Sequence, residues 1–180
     1  MEIRDLYDRN KNLTGKTLKK GERPTDGNYL LVVLVMIRNS KGEFLIHKRP
    51  ESQKGFYGVT GGHCQAGETG LQGAIAETKE ELGIDLKPEE LTFLYGRRQD
   101  DKKMFLEVFF AQKDIDISSL KPQKEEVEFV EWMNIEKIKS LDNKSQFLSA
   151  HVDEIYRTIR ILDIMNKNKK SSIEDEERLF

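Results

Sequence analysis

One unbroken run of apolar residues, Tyr29 to Ile37, constrains the fold more than any other feature of the sequence. A strand with one solvent-exposed face alternates polar and apolar residues, whereas a continuous apolar run is typical of a strand covered on both faces. A turn signal at residues 39–42 and a returning segment, Glu43 to Lys48, make this run the first strand of a predicted hairpin. The chain must therefore supply layers on both sides of a sheet.

Other segments of the chain provide both strands and helices for these layers. Apolar residues at helical spacing predict a helix that begins after Thr69, with Gln72 completing a capping box, and ends before Gly83. The other candidate strands are Ile3–Tyr7, Thr14–Leu18, Leu91–Tyr95, Met104–Ala111 and Val127–Trp132, and the other candidate helices are Ile135–Leu141 and Gln146–Met165. This mixture predicts an α/β or α+β sandwich.

The length of the chain is that of one domain, since its 180 residues fall within the ~100–200 residues common for domains. We place this domain at residues 1–165, with residues 1–28 forming an N-terminal hairpin and loop. Residues 166–180 are charged and poor in apolar side chains, so they are expected to form a disordered tail.

Charge and cysteine content exclude several classes of protein. The net charge of -2 gives no basic excess for a nucleic acid polymer or an anionic membrane. No apolar run approaches the ~18–20 residues that span a bilayer, and residues 1–10 do not resemble a signal peptide. Cys64 is the only cysteine, so no intrachain disulfide can form. These features predict a cytoplasmic protein.

Three glutamates occupy one stripe of the predicted helix. Glu77, Glu80 and Glu81 lie beside its apolar face, where their charges repel one another. Such a cluster favours a hard divalent cation such as Mg²⁺, which prefers oxygen ligands. The alternative is a solvated acidic face, and the glutamate spacing alone favours that alternative. The preceding segment, Pro50 to Gly62, carries four glycines and is interpreted as either a connecting loop or a loop that lines a site.

A longer window of sequence resembles the Nudix box. Gly62 is followed after five residues by Glu68, and Glu68 after seven residues by the stretch from Ala76 to Ile84. The pattern of the Nudix family is Gly, five residues, Glu, seven residues, then Arg-Glu-apolar-x-Glu-Glu-x-Gly-apolar. Its glycines, its glutamates and its final apolar residue match in register. Two positions depart from it, because Ala76 stands where the family has Arg and Thr78 where it usually has a large apolar residue.

The resemblance implies the Nudix fold, a mixed sheet between helices, here with an N-terminal hairpin extension. It also implies hydrolysis of a diphosphate linkage in a small nucleotide-like molecule, with Mg²⁺ or Mn²⁺ as cofactor. Glu77, Glu80 and Glu81 would then be the catalytic residues and metal ligands, with a further glutamate, Glu126 or Glu125, from the strand region before the last helices. The oligomeric state stays open, and a homodimer is one possibility.

Residues near the hairpin end and the box are candidates for binding substrate. Lys48 and Arg49 follow the second strand and could contact phosphate, although a solvated strand end fits them equally. Gly61 and Gly62 belong to the segment that would line the site. His63 could touch metal or phosphate, or bond to the backbone.

Two alternative functions remain at this point. The N-terminal segment and Gly62-His63 also resemble isopentenyl-diphosphate isomerase and its Nudix relatives. Those isomerases use a cysteine just before the Gly-His pair, where this chain has Gly61, and Cys64 lies on the other side of the pair. The second alternative is a Nudix module that binds a ligand without catalysis, which the departure at Ala76 favours.

Overall fold

The computed structural model describes residues 2–177, and their side chains as far as residue 168. Nine strands and three helices follow one another within this part of the chain. The strands are β1 (Ile3–Tyr7), β2 (Leu13–Lys19), β3 (Leu30–Arg38), β4 (Phe44–Lys48), β5 (Tyr57–Gly58), β6 (Thr60–His63), β7 (Thr92–Gln99), β8 (Met104–Gln112) and β9 (Phe129–Met133), and the helices are α1 (Gly70–Leu82), α2 (Ile135–Asn143) and α3 (Ser149–Glu177). None of these helices is long and apolar enough to cross a membrane.

The apolar run of β3 forms the centre of a mixed, seven-stranded sheet, as its composition predicts. It pairs in parallel with β8 and in antiparallel fashion with β4 and β6. The main path of the sheet is β5-β4-β3-β8-β7. Off this path, β6 also pairs with β3, and β9 pairs with β4. Val33 and Met36, on opposite faces of β3, are both fully buried. The prediction of a strand covered on both sides is therefore confirmed.

A separate hydrophobic core covers each face of the sheet. On one face Val33 and Val35 pack with Ala74 and Leu82 of α1. On the other face Met36 packs with Ile138 of α2 and with Val152 and Ile155 of α3. The result is an α+β sandwich with the mixed sheet between helices, which confirms the predicted fold class.

The N-terminal hairpin β1–β2 forms its own small sheet beside the main one. Tyr7 and Tyr29 exchange two backbone hydrogen bonds of 2.9 Å, which attach the end of β1 to the start of β3. The backbone N–H groups of Ala66 and Gly67 donate to Ile3 O and Asp5 Oδ2 at 2.8 Å. The hairpin is thereby held against the segment that leads into α1.

The structure differs from the sequence prediction in several regions, and β7 runs to Gln99, beyond the predicted Tyr95. The segment Pro50 to Gly62 is not a simple loop, because it contains one turn of 3-10 helix at Glu51–Gln53, strand β5 and most of β6. Glycine at position 61 allows β6 to lie close to β3, since a Cβ at Gly61 would lie 2.9 Å from Leu34 Cα. Helix α3 begins at Ser149 because residues 146–148 bond to Tyr57 instead.

The end of α3 also lies beyond the predicted Met165. The helix continues to Glu177 over residues that include neither proline nor glycine, so no residue there interrupts it. Of the tail predicted to be disordered, residues 178–180 and the side chains after residue 168 lie outside the described residues. The disorder stays a prediction.

Candidate active site

The orientation of α1 is set by defined caps at both ends. The backbone N–H of Gln72 donates to Thr69 Oγ1 at 3.3 Å, and that of Thr69 donates to Gln72 Oε1 at 2.9 Å. Gly83 ends the helix in the left-handed conformation with φ 70°, which favours glycine. Both caps were predicted from the sequence. Glu68 supports the approach to the helix by accepting from the backbone N–H of Gln65 at 2.8 Å.

The acidic stripe of α1 faces a cavity of about 320 Å³. Glu77, Glu80 and Glu81 all line it. Four other parts of the chain contribute the remaining residues, which are Glu2, Arg4, Lys20, Arg49, Gln53, Gly61, Gly62, His63, Gln65 and Glu126. Every residue that the sequence proposed for the site therefore lies in this cavity except Lys48 and Glu125, the alternative to Glu126.

Glu81 is the most deeply buried of the three glutamates, with 3% of its surface exposed. The backbone N–H of Gly61 donates to its Oε2 at 3.2 Å, which ties β6 to the helix. Burial first, and then the charge of Glu77, raise the pKa of Glu81 to about 8. Glu81 thus has a raised pKa and forms no ion pair with a Lys or Arg among the described residues.

Glu77 lies one turn earlier, directly against β6. A Cβ at Gly62 would lie 2.6 Å from Glu77 Cδ, so the strand approaches this carboxylate without any side chain between them. Burial, followed by the charges of Glu80 and Glu126, raises the pKa of Glu77 to about 7. The charge of Arg49 opposes the raised pKa of Glu81 but does not cancel it, so the cavity wall brings carboxyl groups together with too little positive charge beside them.

His47 lies next to this wall and was missed by the sequence reasoning. Its side chain is buried, and its Nδ1 is 3.9 Å from Glu81 Oε2. Among the described residues neither ring nitrogen has a hydrogen-bond partner. Burial lowers the pKa of His47 to about 3, so the ring is neutral. Its signal in the sequence is a polar residue that directly follows the apolar residues Phe44, Leu45 and Ile46.

The two cations at the end of β4 have different surroundings. Arg49 lines the cavity and forms no ion pair within the described part of the chain. Lys48 does not line it, and its Nζ binds Glu128 at 2.9 Å and Glu51 at 3.1 Å instead. Side chains alternate sides along a strand, so neighbouring residues cannot both face the site.

The N-terminal hairpin adds charged residues that the sequence analysis did not assign to the site. Glu2 lies between two cations, with its Oε1 2.6 Å from Arg4 Nη2 and its Oε2 2.8 Å from Lys20 Nζ. All three residues line the cavity. The sequence carries no local signal for this placement, because it depends on long-range packing of the hairpin against residues 66 and 67.

The chemistry of the cavity fits a divalent cation. Five glutamates face three cationic side chains there, and carboxylate oxygens are the donors that hard cations prefer. As the side chains stand, no three of the Asp, Glu, His or Cys groups in the described residues converge into a ready-made metal site. The fit therefore rests on the donor type and on the missing countercharge around Glu77 and Glu81.

Comparison with known proteins agrees with this geometry. The model of the NUDIX domain matches residues 28–153, most of the chain. The chain belongs to the Nudix family. An uncharacterised Nudix hydrolase of Listeria monocytogenes is 36% identical over 154 residues, which cover 82% of this chain and 89% of the relative. The phosphatase NudJ of Escherichia coli is 25% identical over 127 residues, which cover 71% of this chain and 83% of NudJ.

Solved structures share the fold. The protein DR0079 from Deinococcus radiodurans superimposes with a TM-score of 0.67 at 20% identity, covering 81% of this chain and 91% of that one. A bifunctional NMN adenylyltransferase/ADP ribose pyrophosphatase from Francisella tularensis, complexed with AMP and a manganese ion, has a TM-score of 0.56 at 19% identity. The match covers 78% of this chain and 42% of that protein. The chain is thus a Nudix hydrolase by family, and Nudix enzymes generally depend on a divalent metal.

Proposed function

We propose that this cavity is the active site and that the protein hydrolyses a diphosphate linkage in a small nucleotide-like molecule. One observation carries the proposal: Glu77 and Glu81 are withdrawn from solvent, and the ion pairs of the described residues give neither of them a cationic Lys or Arg partner. Mg²⁺ or Mn²⁺ would supply the missing charge. Glu77, Glu80 and Glu81 would hold it, with Glu126 reaching in from the region before β9.

The residues that the sequence proposed for the cavity have separate roles in this proposal. A bound divalent cation would neutralise phosphate oxygens and make a water molecule more acidic. One of the helix glutamates accepts the proton of the attacking water. Arg49, with no partner among the described residues, binds a phosphate oxygen of the substrate. Gly61 and Gly62 line the cavity beside the helix glutamates, and their backbone contacts the substrate.

The relatives support this class of substrate. NudJ is a phosphatase, and the Francisella protein carries an ADP ribose pyrophosphatase and was solved with AMP and manganese. The cavity is lined by charged and polar side chains together with glycines, which suits a phosphate-rich ligand better than an apolar one.

The features of Cys64 argue against the isomerase alternative. The thiol is 4% exposed, and burial raises its pKa to about 12. Its sulfur packs so tightly on α1 that a Cβ at Gly73 would overlap with Cys64 Sγ. A buried thiol with a raised pKa is a poor nucleophile or acid.

A turnover panel tests the proposal. Nucleoside di- and triphosphates, nucleotide sugars and dinucleotides would be incubated with Mg²⁺ or Mn²⁺ and with EDTA. We expect metal-dependent hydrolysis of at least one class, lost in Glu81→Gln and retained in Glu89→Gln, which alters an exposed glutamate that does not line the cavity. If no member is hydrolysed while ligands still bind, the non-catalytic module is the correct interpretation.

A further inference from the structure

His47, beside the site, is the one buried ring among the described residues whose polar atoms have no hydrogen-bond partner. Both of its nitrogens are buried and make no hydrogen bond to the described residues. A buried polar group without a hydrogen bond is destabilising, so such a group needs an explanation. An apolar residue of similar size would fill the space without that cost.

The position of the ring supplies the explanation. His47 lies on β4 two residues after Leu45, which packs in the core on the α1 side of the sheet, so both side chains point toward the helix that carries Glu81. Its Nδ1 is 3.9 Å from Glu81 Oε2, longer than a hydrogen bond but close enough for a small rotation of the carboxylate to complete one. Gly61 N–H already donates to the same oxygen at 3.2 Å.

We propose that His47 is a positioning residue, whose Nδ1–H donates to Glu81 Oε2 when a divalent cation occupies the site. The inference rests on the proposed function. Oε2 then accepts from both Gly61 and His47, and Oε1 is left free for the cation or for water. Such outer partners orient a ligand and change metal affinity by ~10–100-fold.

The other charged groups around the ring are compatible with this role. The charges of Arg49 and His151 act on His47 and help to lower its pKa, and the carboxylate of Glu81 lies 3.9 Å from its Nδ1. The Nδ1 of His151 accepts a hydrogen bond from Val59 N–H at 3.1 Å, so that nitrogen is already engaged. His151 Nδ1 is thus already occupied, whereas Glu81 Oε2 lies 3.9 Å from His47 Nδ1.

Two substitutions separate positioning from packing. His47→Asn places an amide N–H close to the position of Nδ1, whereas His47→Leu fills a similar volume without a donor. We expect calorimetry to show Mn²⁺ affinity ~10–100-fold lower for His47→Leu and within a few-fold of the natural protein for His47→Asn. The melting temperature of His47→Leu should be unchanged or higher, because an apolar side chain replaces an unsatisfied polar one. In a Glu81→Gln background, His47→Leu should have no further effect.

A direct measurement covers the case in which His47→Leu does not fold. ¹⁵N-edited NMR of the natural protein with saturating Mg²⁺ should show His47 protonated at Nδ1, and protonation at Nε2 alone would overturn the inference. Unchanged Mn²⁺ affinity in folded His47→Leu, or an equal loss in folded His47→Asn, would also overturn it. If the natural protein binds neither Mn²⁺ nor Mg²⁺, the proposed function is contradicted as well. Normal metal binding and turnover in His47→Leu would contradict this inference alone.

Discussion

Gly62 of β6 and Glu77 of α1 approach so closely that no side chain fits between them, because a Cβ at Gly62 would lie 2.6 Å from Glu77 Cδ. The φ of Gly62 is not positive, so glycine is needed there for space and not for an unusual backbone conformation. The absence of a side chain at Gly62 therefore allows the carboxylate of Glu77 to occupy its observed position.

We therefore expect Gly62→Ala to displace Glu77 and to weaken Mn²⁺ binding by at least about 10-fold, the range seen when a metal ligand loses its orientation. Gly96→Ala is a matched control, since a Cβ there meets Glu107 Cγ at an ordinary 3.5 Å. Calorimetry on both folded variants checks the prediction. Equal affinities for the two variants would show that the Gly62 contact does not set the position of Glu77.

The stability of the metal-free protein should fall as the pH rises from about 6.5 to 8. The folded-state pKa values of Glu77 and Glu81 are raised to about 7 and 8, so the folded protein binds more protons than the unfolded chain in this window. The three histidines have lowered pKa values and favour the opposite trend, but only below their unfolded value of 6.5. Melting temperatures in EDTA check this, and Glu81→Gln should flatten the curve. A melting temperature that rises through the window would contradict the assignment.

Arg49 and Lys48 should differ sharply when each is replaced by glutamine. Arg49 faces the cavity without an ion-pair partner in the described structure, whereas Lys48 is engaged by Glu51 and Glu128. A hydrogen bond to a charged group contributes ~1.5–3 kcal/mol, which corresponds to roughly 10–100-fold in affinity. We expect KM to rise by that factor for Arg49→Gln and to change less than about 3-fold for Lys48→Gln. Similar effects of both substitutions would mean that Arg49 does not bind the substrate.

Ala76→Arg should raise turnover or tighten metal binding. Ala76 and Glu80 are four residues apart on α1, so an arginine at 76 could reach and orient Glu80. Lys79 cannot do so, because its Nζ is paired with Asp85 at 2.7 Å. Ala76→Gln provides a side chain of similar reach without charge. Rates at saturating and limiting Mg²⁺ check the prediction, and an Ala76→Arg protein identical to Ala76→Gln in both would show that Ala76 is not a defect.

Local signals in the sequence were sufficient to predict the central strand of the fold and the bounds of α1. The apolar run of β3 can be buried only if both faces of the sheet are covered, and Thr69, Gln72 and Gly83 define the helix ends through contacts within a few residues. The register of the glutamates then places Glu77, Glu80 and Glu81 on one side of the helix. These elements needed no knowledge of distant contacts.

The missed features depend on contacts between distant parts of the chain. The glycine-rich segment becomes strand β6 only because β3 offers it a pairing edge. The N-terminal hairpin brings Glu2 and Arg4 to the site through backbone bonds to Tyr29 and Ala66. His47 gained significance only once Glu81 was found 3.9 Å away on another element.

Mn²⁺ binding to the natural protein and to Glu77→Gln and Glu81→Gln, with Glu89→Gln as control, tests the central claim most directly. The claim is that the buried carboxylates of α1 hold a divalent cation, and calorimetry measures this without any knowledge of the substrate. We predict binding by the natural protein and by Glu89→Gln, and affinities at least about 10-fold lower for the two cavity variants. Equal Mn²⁺ affinity in all four folded proteins would contradict the account.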